Sequence, residues 1–281
     1  MIIAHNGTCT MHCNLLTDIR IAKETGYDGI EISGSKLYRY LNQGLTVESL
    51  KPLLKDLLPV AVGYVQDIER QEPKEYAALL QECERMCSIA EALGIPMVQL
   101  LTGPIGPGLR ETGGYQGLIG KTWPEVRDRT VKNLQVLSEI GKKHAIVFYL
   151  EPLSWAPLHT LRQAVELIDC AGVDNVTLLI DFWHHWTSGT KPEDLAKLDK
   201  KMIGGVHFCD SLPPTSDTIT HDLREVWTGA GHIPLKAWVE AIRSTGFDGW
   251  MSAELFSPKH WEMDPWRVAH NLEEMMRFTL I

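Results

Sequence analysis

The chain has 281 residues, of which 44% are hydrophobic and 22% charged, the composition of a globular protein that buries a large core. Its formal net charge of -9 argues against nucleic acid or an anionic membrane as the main partner, because both require a basic face. The six cysteines form no Cys-x-x-Cys pair, which predicts free thiols in a reducing compartment. The N-terminus shows no signal-peptide pattern, and no apolar run approaches ~18 residues. We therefore predict a cytoplasmic protein.

Short apolar runs recur along the chain and predict buried β-strands. They are rich in Val, Ile, Leu or aromatic residues, as expected for strands that are covered on both faces. The runs are Ile2–Thr8, Gly29–Ser33, Val60–Val65, Pro96–Thr102, Ala145–Glu151, Val176–Asp181, Gly205–Phe208 and Trp250–Glu254.

Segments with helical periodicity lie between these runs. In Tyr76–Leu93, for example, apolar residues recur at spacings of three or four. Four glycines that precede strands suit left-handed helix C-caps: Gly26, Gly94, Gly172 and Gly246. The alternation of strands and helices predicts a parallel sheet, and eight such units close into a single (β/α)8 TIM barrel that spans the whole chain. An open doubly wound sheet is the alternative, but it would want a Gly-rich phosphate turn after the first strand, and NGTCTMHC is not one.

Two intervals between predicted elements are longer than the others. Residues 103–123 follow the fourth strand, and residues 209–233 follow the seventh. Both intervals therefore lie on the face where strand C-termini emerge, which is where barrels keep their active sites. We expect them to act as lids or binding loops.

A polar residue ends each of the last four predicted strands. Glu151, Asp181, His207 and Glu254 close consecutive runs that are otherwise apolar, and in a barrel these ends converge on one mouth. Three carboxylates in a partly dry site repel one another, and a divalent cation removes that repulsion while a neutral imidazole completes its shell. Oxygen-rich ligation with one histidine favours Mn2+, with Mg2+, Co2+, Fe2+ and Zn2+ as alternatives.

The motifs LEP, DFWHH, VHFCD, WTGAG and GFDGWMSAELF resemble the xylose isomerase-like barrel superfamily, and within it the inosose (2-keto-myo-inositol) isomerases and ketose 3-epimerases. The likeness covers nearly the whole chain. It implies one metal ion held by Glu151, Asp181, His207 and Glu254, with Glu151 and Glu254 as the catalytic residues that move a proton. It also implies that His184 contacts the substrate's oxygens and that the protein forms a homodimer or homotetramer.

The loop after the seventh strand departs from the family pattern. Family members commonly have an arginine shortly before Pro-Gly-x-Gly, whereas here threonine replaces the proline of WTGAG and Arg224 lies about one residue farther upstream. The sequence is compatible with two roles for Arg224, a contact with the substrate or a salt bridge at the surface. Aromatic residues that follow strands five to eight predict a mouth on which a sugar can stack: Trp155, Trp183, Trp186, Trp227 and Phe256.

These features predict an isomerase or epimerase of a small unphosphorylated sugar or inosose, in which a metal stabilises the enediolate formed by proton removal. A dehydratase of an inosose or related cyclic ketone shares that first step and is the first alternative. A non-catalytic sugar-binding subunit of a larger enzyme is the second. An apurinic endonuclease needs histidines at the ends of strands two and three, where the chain has IEISGSK and VGYVQD instead.

Overall fold

The computed structural model describes residues 1–104, 117–213 and 220–281. Within these residues, eight parallel strands form a closed barrel in chain order, and the first strand pairs with the eighth. The prediction of a single (β/α)8 TIM barrel is therefore confirmed. The strands are β1 (Ile2–Asn6), β2 (Gly29–Ser33), β3 (Leu58–Val65), β4 (Met97–Leu101), β5 (Val147–Glu151), β6 (Val176–Asp181), β7 (Ile203–Phe208) and β8 (Trp250–Ala253).

Helices connect the strands and cover the barrel. They are α1 (Leu15–Glu24), α2 (Gly34–Asn42), α3 (Val47–Leu50), α4 (Pro73–Leu93), α5 (Trp123–Lys143), α6 (Leu161–Ala171), α7 (Phe182–Thr187), α8 (Pro192–Leu195), α9 (Leu235–Ser244), α10 (Pro258–Trp261) and α11 (Pro265–Leu280). Among the described residues, no helix is both long and apolar enough to cross a membrane. The predicted loops 103–123 and 209–233 do follow β4 and β7, and residues 105–116 and 214–219 of them lie outside the described residues.

Strand β7 begins two residues before its predicted start because its glycines belong to the sheet. A Cβ on Gly204 would lie 2.3 Å from Thr177 Oγ1, and a Cβ on Gly205 would lie 2.1 Å from the ring of Trp250. Glycine in a strand often marks such a close approach. The missing side chains make room for residues of the neighbouring strands, including β8.

Two of the four glycines predicted as helix C-caps are the C-cap residues, whereas α1 and α9 have Thr25 and Thr245 as C-caps, each followed by the left-handed Gly26 or Gly246. Gly94 ends α4 and Gly172 ends α6, both in the left-handed conformation with φ of 69° and 62°. A residue with a side chain is strained at such a φ, so glycine ends the helix at little cost. The chain then turns into the next strand, and this fixes where β4 and β6 begin.

A cluster made of strand residues fills the interior of the barrel below its mouth. Tyr149 and Trp250 pack edge to face with ring centroids 5.5 Å apart. The other buried members of the cluster are Ala4, Val60, Ala61 and Leu179. This apolar layer fills the barrel, so the polar residues at the strand ends rest on a packed floor.

Candidate active site

Four polar residues from consecutive strands meet at the barrel mouth. Glu151 and Asp181 are the last residues of β5 and β6, His207 is the next-to-last residue of β7, and Glu254 follows β8 directly. All four are buried, and one ligand atom from each lies within 4.8 Å of the others. The structure thus brings together the four residues that the strand-end pattern singles out.

His207 lies at the centre of this set. Its Nδ1 atom is 3.6 Å from Glu151 Oε1, 3.6 Å from Asp181 Oδ2 and 3.5 Å from Glu254 Oε1. Neither His207 Nδ1 nor Glu151 Oε1 has a hydrogen-bond partner among the described residues. Buried polar atoms without a partner are costly and uncommon. Their arrangement around one point fits a divalent cation, so the donor set suits the group that the sequence predicts.

The three carboxylates each hold their other oxygen in a hydrogen bond that points away from this shared point. The donors are Gln99 Nε2 to Glu151 Oε2 at 2.7 Å, the His184 backbone N–H to Asp181 Oδ1 at 2.7 Å, and the Arg224 guanidinium to Glu254 Oε2. Outer hydrogen bonds of this kind orient metal ligands. One oxygen of each carboxylate therefore faces the others.

The electrostatics of the set favour a bound cation. Burial, opposed by His207 and reinforced by the charge of Glu254, raises the pKa of Glu151 to about 8. Burial alone would lower the pKa of His207, but the charges of Glu31 and Glu254 raise that pKa well above its usual value. Without a cation the set therefore takes up protons at neutral pH, and a divalent ion would replace them.

Three of the four residues, Glu151, His207 and Glu254, line a cavity of about 220 Å³, and Asp181 lies buried behind them. This volume is below the roughly 300–1,000 Å³ of sites for drug-sized ligands, and it suits a small molecule. Polar and aromatic groups share its wall. The further lining residues are Asn6, Thr8, Glu31, Ile32, Ser33, Gly34, Gly63, Tyr64, Gln99, Leu101, Leu153, Trp155, His184, His221, Arg224 and Phe256.

His184 presents a hydrogen-bond donor to this cavity. Its Nδ1 atom accepts the backbone N–H of Ser154 at 3.0 Å and lies 2.8 Å from Ser154 Oγ. Burial, reinforced by the charge of Arg224, lowers the pKa of His184 to about 3. In the neutral ring Nδ1 is the acceptor, so Nε2 carries the hydrogen, and Nε2 lies 4.0 Å from Glu151 Oε1. The contact of His184 with substrate oxygens stays a prediction.

Arg224 belongs to the site. It is 3% exposed, it pairs with Glu254, and its guanidinium lies 3.7 Å from Asp181 Oδ2. The guanidinium also stacks over the rings of Trp183 at 4.9 Å and Phe256 at 4.4 Å. The alternative of a surface salt bridge is wrong, because these contacts bury the side chain.

Asp210 shapes the loop that follows Arg224. Its carboxylate accepts the backbone N–H groups of Gly229 at 2.9 Å, Gly231 at 2.8 Å and Ile233 at 3.0 Å. A Cβ on Gly231 would lie 2.3 Å from Asp210 Oδ1, so the WTGAG turn needs glycine there. The proline of the family pattern is not needed for this loop to close.

The five aromatic residues predicted at the mouth divide into separate groups. Trp155 and Phe256 line the cavity, whereas Trp183 is fully buried beneath Arg224. The expectation that all five crowd the mouth is therefore wrong for Trp183 and for two others. Trp186 turns toward α9 and packs against Trp238, and Trp227 packs against His260.

Sequence reasoning missed several residues of the site. Glu31 contacts His207, Gln99 contacts Glu151, and His221 lies 5.0 Å from Trp155. Glu31 and Gln99 could have been found, because each is a polar residue within an otherwise apolar strand. His221 lies within the loop after β7 and carries no such signal.

Comparisons with known proteins agree with this geometry. A profile of the xylose isomerase-like TIM barrel family matches residues 19–278. Inosose isomerase of Halalkalibacterium halodurans is 28% identical over 269 residues, which cover 94% of this chain and 90% of that protein. The 3-dehydro-D-guloside 4-epimerase of Escherichia coli is 24% identical over 270 residues, which cover 86% of this chain and 87% of that protein.

The fold is also similar to solved structures. A crystal structure of the IOLI protein with a binding zinc atom has a TM-score of 0.90 and 24% identity, and the match covers 100% of this chain and 98% of that one. The resemblance that the motifs indicate is confirmed, as is the prediction of an enzyme of the isomerase and epimerase superfamily. Because the family profile spans nearly the entire chain, this protein belongs to the xylose isomerase-like TIM barrel family.

Proposed function

We propose that this protein is a divalent-metal-dependent isomerase or epimerase of a small unphosphorylated polyol ketone, with an inosose as the first candidate substrate. The observation that carries the proposal is the convergence of Glu151, Asp181, His207 and Glu254 within 4.8 Å beside a small cavity that three of them line. The relation to an inosose isomerase over nearly the full chain supports the substrate class. Three carboxylates and one imidazole favour Mn2+.

The residues around the cavity have the chemistry that proton transfer next to a carbonyl needs. A bound divalent cation supplies Lewis-acid stabilisation to the oxygen that becomes negative when the proton leaves carbon. Glu151 and Glu254 are the carboxylates that can take this proton and return it. The Nε2–H group of His184 donates to the same developing negative charge. Return of the proton to the adjacent carbon gives isomerisation, and return to the opposite face gives epimerisation.

The cavity favours an uncharged polyol over a sugar phosphate. Among the lining residues that the structure describes, Arg224 is the one arginine or lysine, and Glu254 already pairs with it. Binding of a phosphate group would require unpaired cationic side chains or several backbone N–H groups that point at it. Trp155 and Phe256 provide rings on which the C–H faces of a polyol stack.

Deuterium incorporation tests the proposal directly. The protein is loaded with Mn2+ in D2O and incubated with a panel of inososes and free ketoses, and the recovered compounds are analysed by NMR after the metal is chelated. We expect deuterium at the carbon next to the carbonyl of one substrate, with loss of exchange in Glu151→Gln and Glu254→Gln. Glu72→Gln, at an exposed helix cap without a side-chain bond, is the matched control and should exchange normally.

The products separate the neighbouring functions. A ketone moved to the next carbon indicates an isomerase, and an inverted centre indicates an epimerase. Loss of water indicates a dehydratase and would replace the proposed reaction. If the protein binds metal but no substrate exchanges hydrogen for deuterium at carbon, proton abstraction is contradicted. The protein would then be interpreted as a non-catalytic sugar-binding subunit.

A further inference from the structure

Glu31 is a buried carboxylate of β2 that lies outside the four-residue set. It is 4% exposed, and its Oε2 and Oε1 atoms are 3.0 and 3.1 Å from Nε2 of His207. In the β-barrel β2 is not a neighbour of β7, so this contact reaches across the barrel interior. The contact is made to the ring nitrogen that faces away from the three carboxylates.

Other strands hold this carboxylate in place. The Asn6 amide on β1 donates to Glu31 Oε2 at 2.7 Å, and the Ser252 hydroxyl on β8 donates to the same oxygen at 2.6 Å. The Tyr149 hydroxyl on β5 donates to Glu31 Oε1 at 2.9 Å. A buried carboxylate is costly unless hydrogen bonds satisfy it, and here three donors besides His207 do so. Glu31 is therefore an anchored acceptor.

The hydrogen bond between Glu31 and Nε2 determines the tautomer of His207, and thereby whether Nδ1 has a lone pair available. A carboxylate accepts hydrogen bonds, so Nε2 carries its hydrogen toward Glu31. In the neutral ring Nδ1 then has a free lone pair, and Nδ1 is the atom that faces Glu151, Asp181 and Glu254 without a hydrogen-bond partner among the described residues. Carboxylates behind metal-binding histidines fix the tautomer and the ring orientation, and they increase the basicity of the ligand.

We infer that Glu31 is a positioning residue that fixes His207 so that Nδ1 binds the metal ion. The inference rests on the metal centre of the proposed function, but not on the reaction proposed for it. It assigns a task to the half of the barrel that lacks the four predicted ligands. The size of the effect should match that of outer carboxylates in other metal sites, about 10- to 100-fold in metal affinity.

Metal affinity is the first readout of the test. Co2+ binding to the metal-free protein is measured by calorimetry for the wild type, Glu31→Gln and Glu31→Ala. We expect both variants to bind about 10- to 100-fold more weakly. The matched control is Glu273→Gln, which changes a buried glutamate on α11 that pairs with Arg277, and it should bind like the wild type.

Histidine NMR of the Zn2+-loaded protein is the second readout. In the wild type we expect the nitrogen signals of His207 to report a metal-bound Nδ1 and a hydrogen-bonded Nε2–H. In Glu31→Ala the Nε2–H signal should lose its protection from exchange with water. Thermal unfolding of the metal-free variants checks their folding, and if the alanine variant does not fold, the glutamine variant decides the question through affinity.

The outcomes separate this inference from the proposed function. Wild-type affinity in both folded variants, or metal bound through Nε2, would overturn the inference. A wild type that binds no Co2+ or Zn2+ would overturn it as well. Weaker binding in the variants together with a wild type that exchanges no substrate proton would support the role of Glu31 while contradicting the proposed reaction.

Discussion

The strand ends of β5 to β8 and those of β1 to β4 face the same cavity with different chemistry. The β5–β8 half presents three carboxylates and an imidazole, and one ligand atom of each lies within 4.8 Å of the others. The β1–β4 half contributes mostly neutral groups to the cavity wall, such as Asn6, Ser33, Tyr64 and Gln99. Its one carboxylate on the cavity wall, among the described residues, is Glu31, which contacts His207.

This difference indicates a division of labour between the halves. Charge concentrated at one side binds a cation and supplies the groups that move a proton. Neutral donors and acceptors on the other side leave room for the hydroxyl groups of a polyol. Changes in the charged half should therefore reduce turnover, whereas changes in the neutral half should reduce substrate binding, and changes far from the mouth should affect stability alone.

The largest effect is expected from the charged half. Glu151→Gln removes a carboxylate that can take the proton, and we expect kcat to fall by about 10²- to 10⁴-fold, the usual contribution of general acid–base catalysis. Steady-state kinetics on the substrate found by deuterium exchange measures the loss. The exposed Glu72→Gln variant should keep its kcat, and a Glu151→Gln kcat within tenfold of wild type would contradict the role of Glu151.

His184 should show the next largest effect. His184→Ala removes the Nε2–H donor beside Glu151, and we expect kcat to fall by about 10²- to 10³-fold, as when one donor to a developing oxyanion is lost. KM and metal affinity should change little, because His184 is not among the four ligands. His232→Ala, at an exposed position of the loop after β7, is the control. A large loss of metal affinity in His184→Ala would contradict this separation.

The neutral half should show a smaller effect of a different kind. Tyr64→Phe removes a hydroxyl from a side chain of the cavity wall, and we expect KM to rise by roughly two- to tenfold, the value of one hydrogen bond. The value of kcat should stay near that of the wild type. Steady-state kinetics on the same substrate measures both constants. A fall in kcat with unchanged KM would contradict the claim that the β1–β4 half serves substrate binding and not turnover.

The smallest effect is expected far from the mouth. His144 follows α5, and its two ring nitrogens lie 2.7 Å from Glu91 and 2.8 Å from Glu84 on α4. The hydrogen bonds to Glu91 and then Glu84 raise the pKa of His144, so the folded state binds this proton more tightly than the unfolded state. The stability that the proton contributes is fully present below the unfolded pKa near 6.5, and it is lost as the pH rises through the folded pKa.

Urea unfolding between pH 5.5 and pH 9 measures this contribution. We expect the wild type to lose at most about 1 kcal/mol over that range from this group, because the pair is near the surface. His144→Gln should remove that part of the pH dependence and leave turnover unchanged. An equal pH dependence in the wild type and the variant would show that the group is not linked to folding.

Sequence patterns predict the barrel and the four-residue set because both are local signals. Buried strands appear as apolar runs, and a polar residue at the end of such a run is visible without a structure. Asp181 and His207, which are direct partners in the register of β6 and β7, were found in this way.

The rest of the site depends on contacts that no local pattern contains. Glu31 meets His207 only because the sheet closes and brings β2 across from β7. Trp186 lies only three residues after Trp183, yet the turn of α7 directs it to α9 and not to the site. The direction of a side chain on a short helix or a loop is set by tertiary packing, so counting aromatic residues overestimates the cavity wall.

Anomalous X-ray diffraction from crystals loaded with Co2+ tests the metal centre most directly. We predict one strong peak bonded to Glu151 Oε1, Asp181 Oδ2, His207 Nδ1 and Glu254 Oε1, at distances of about 2.0–2.2 Å. A crystal that shows no peak at these four atoms, or whose ion is bound elsewhere on the protein, would contradict the central claim.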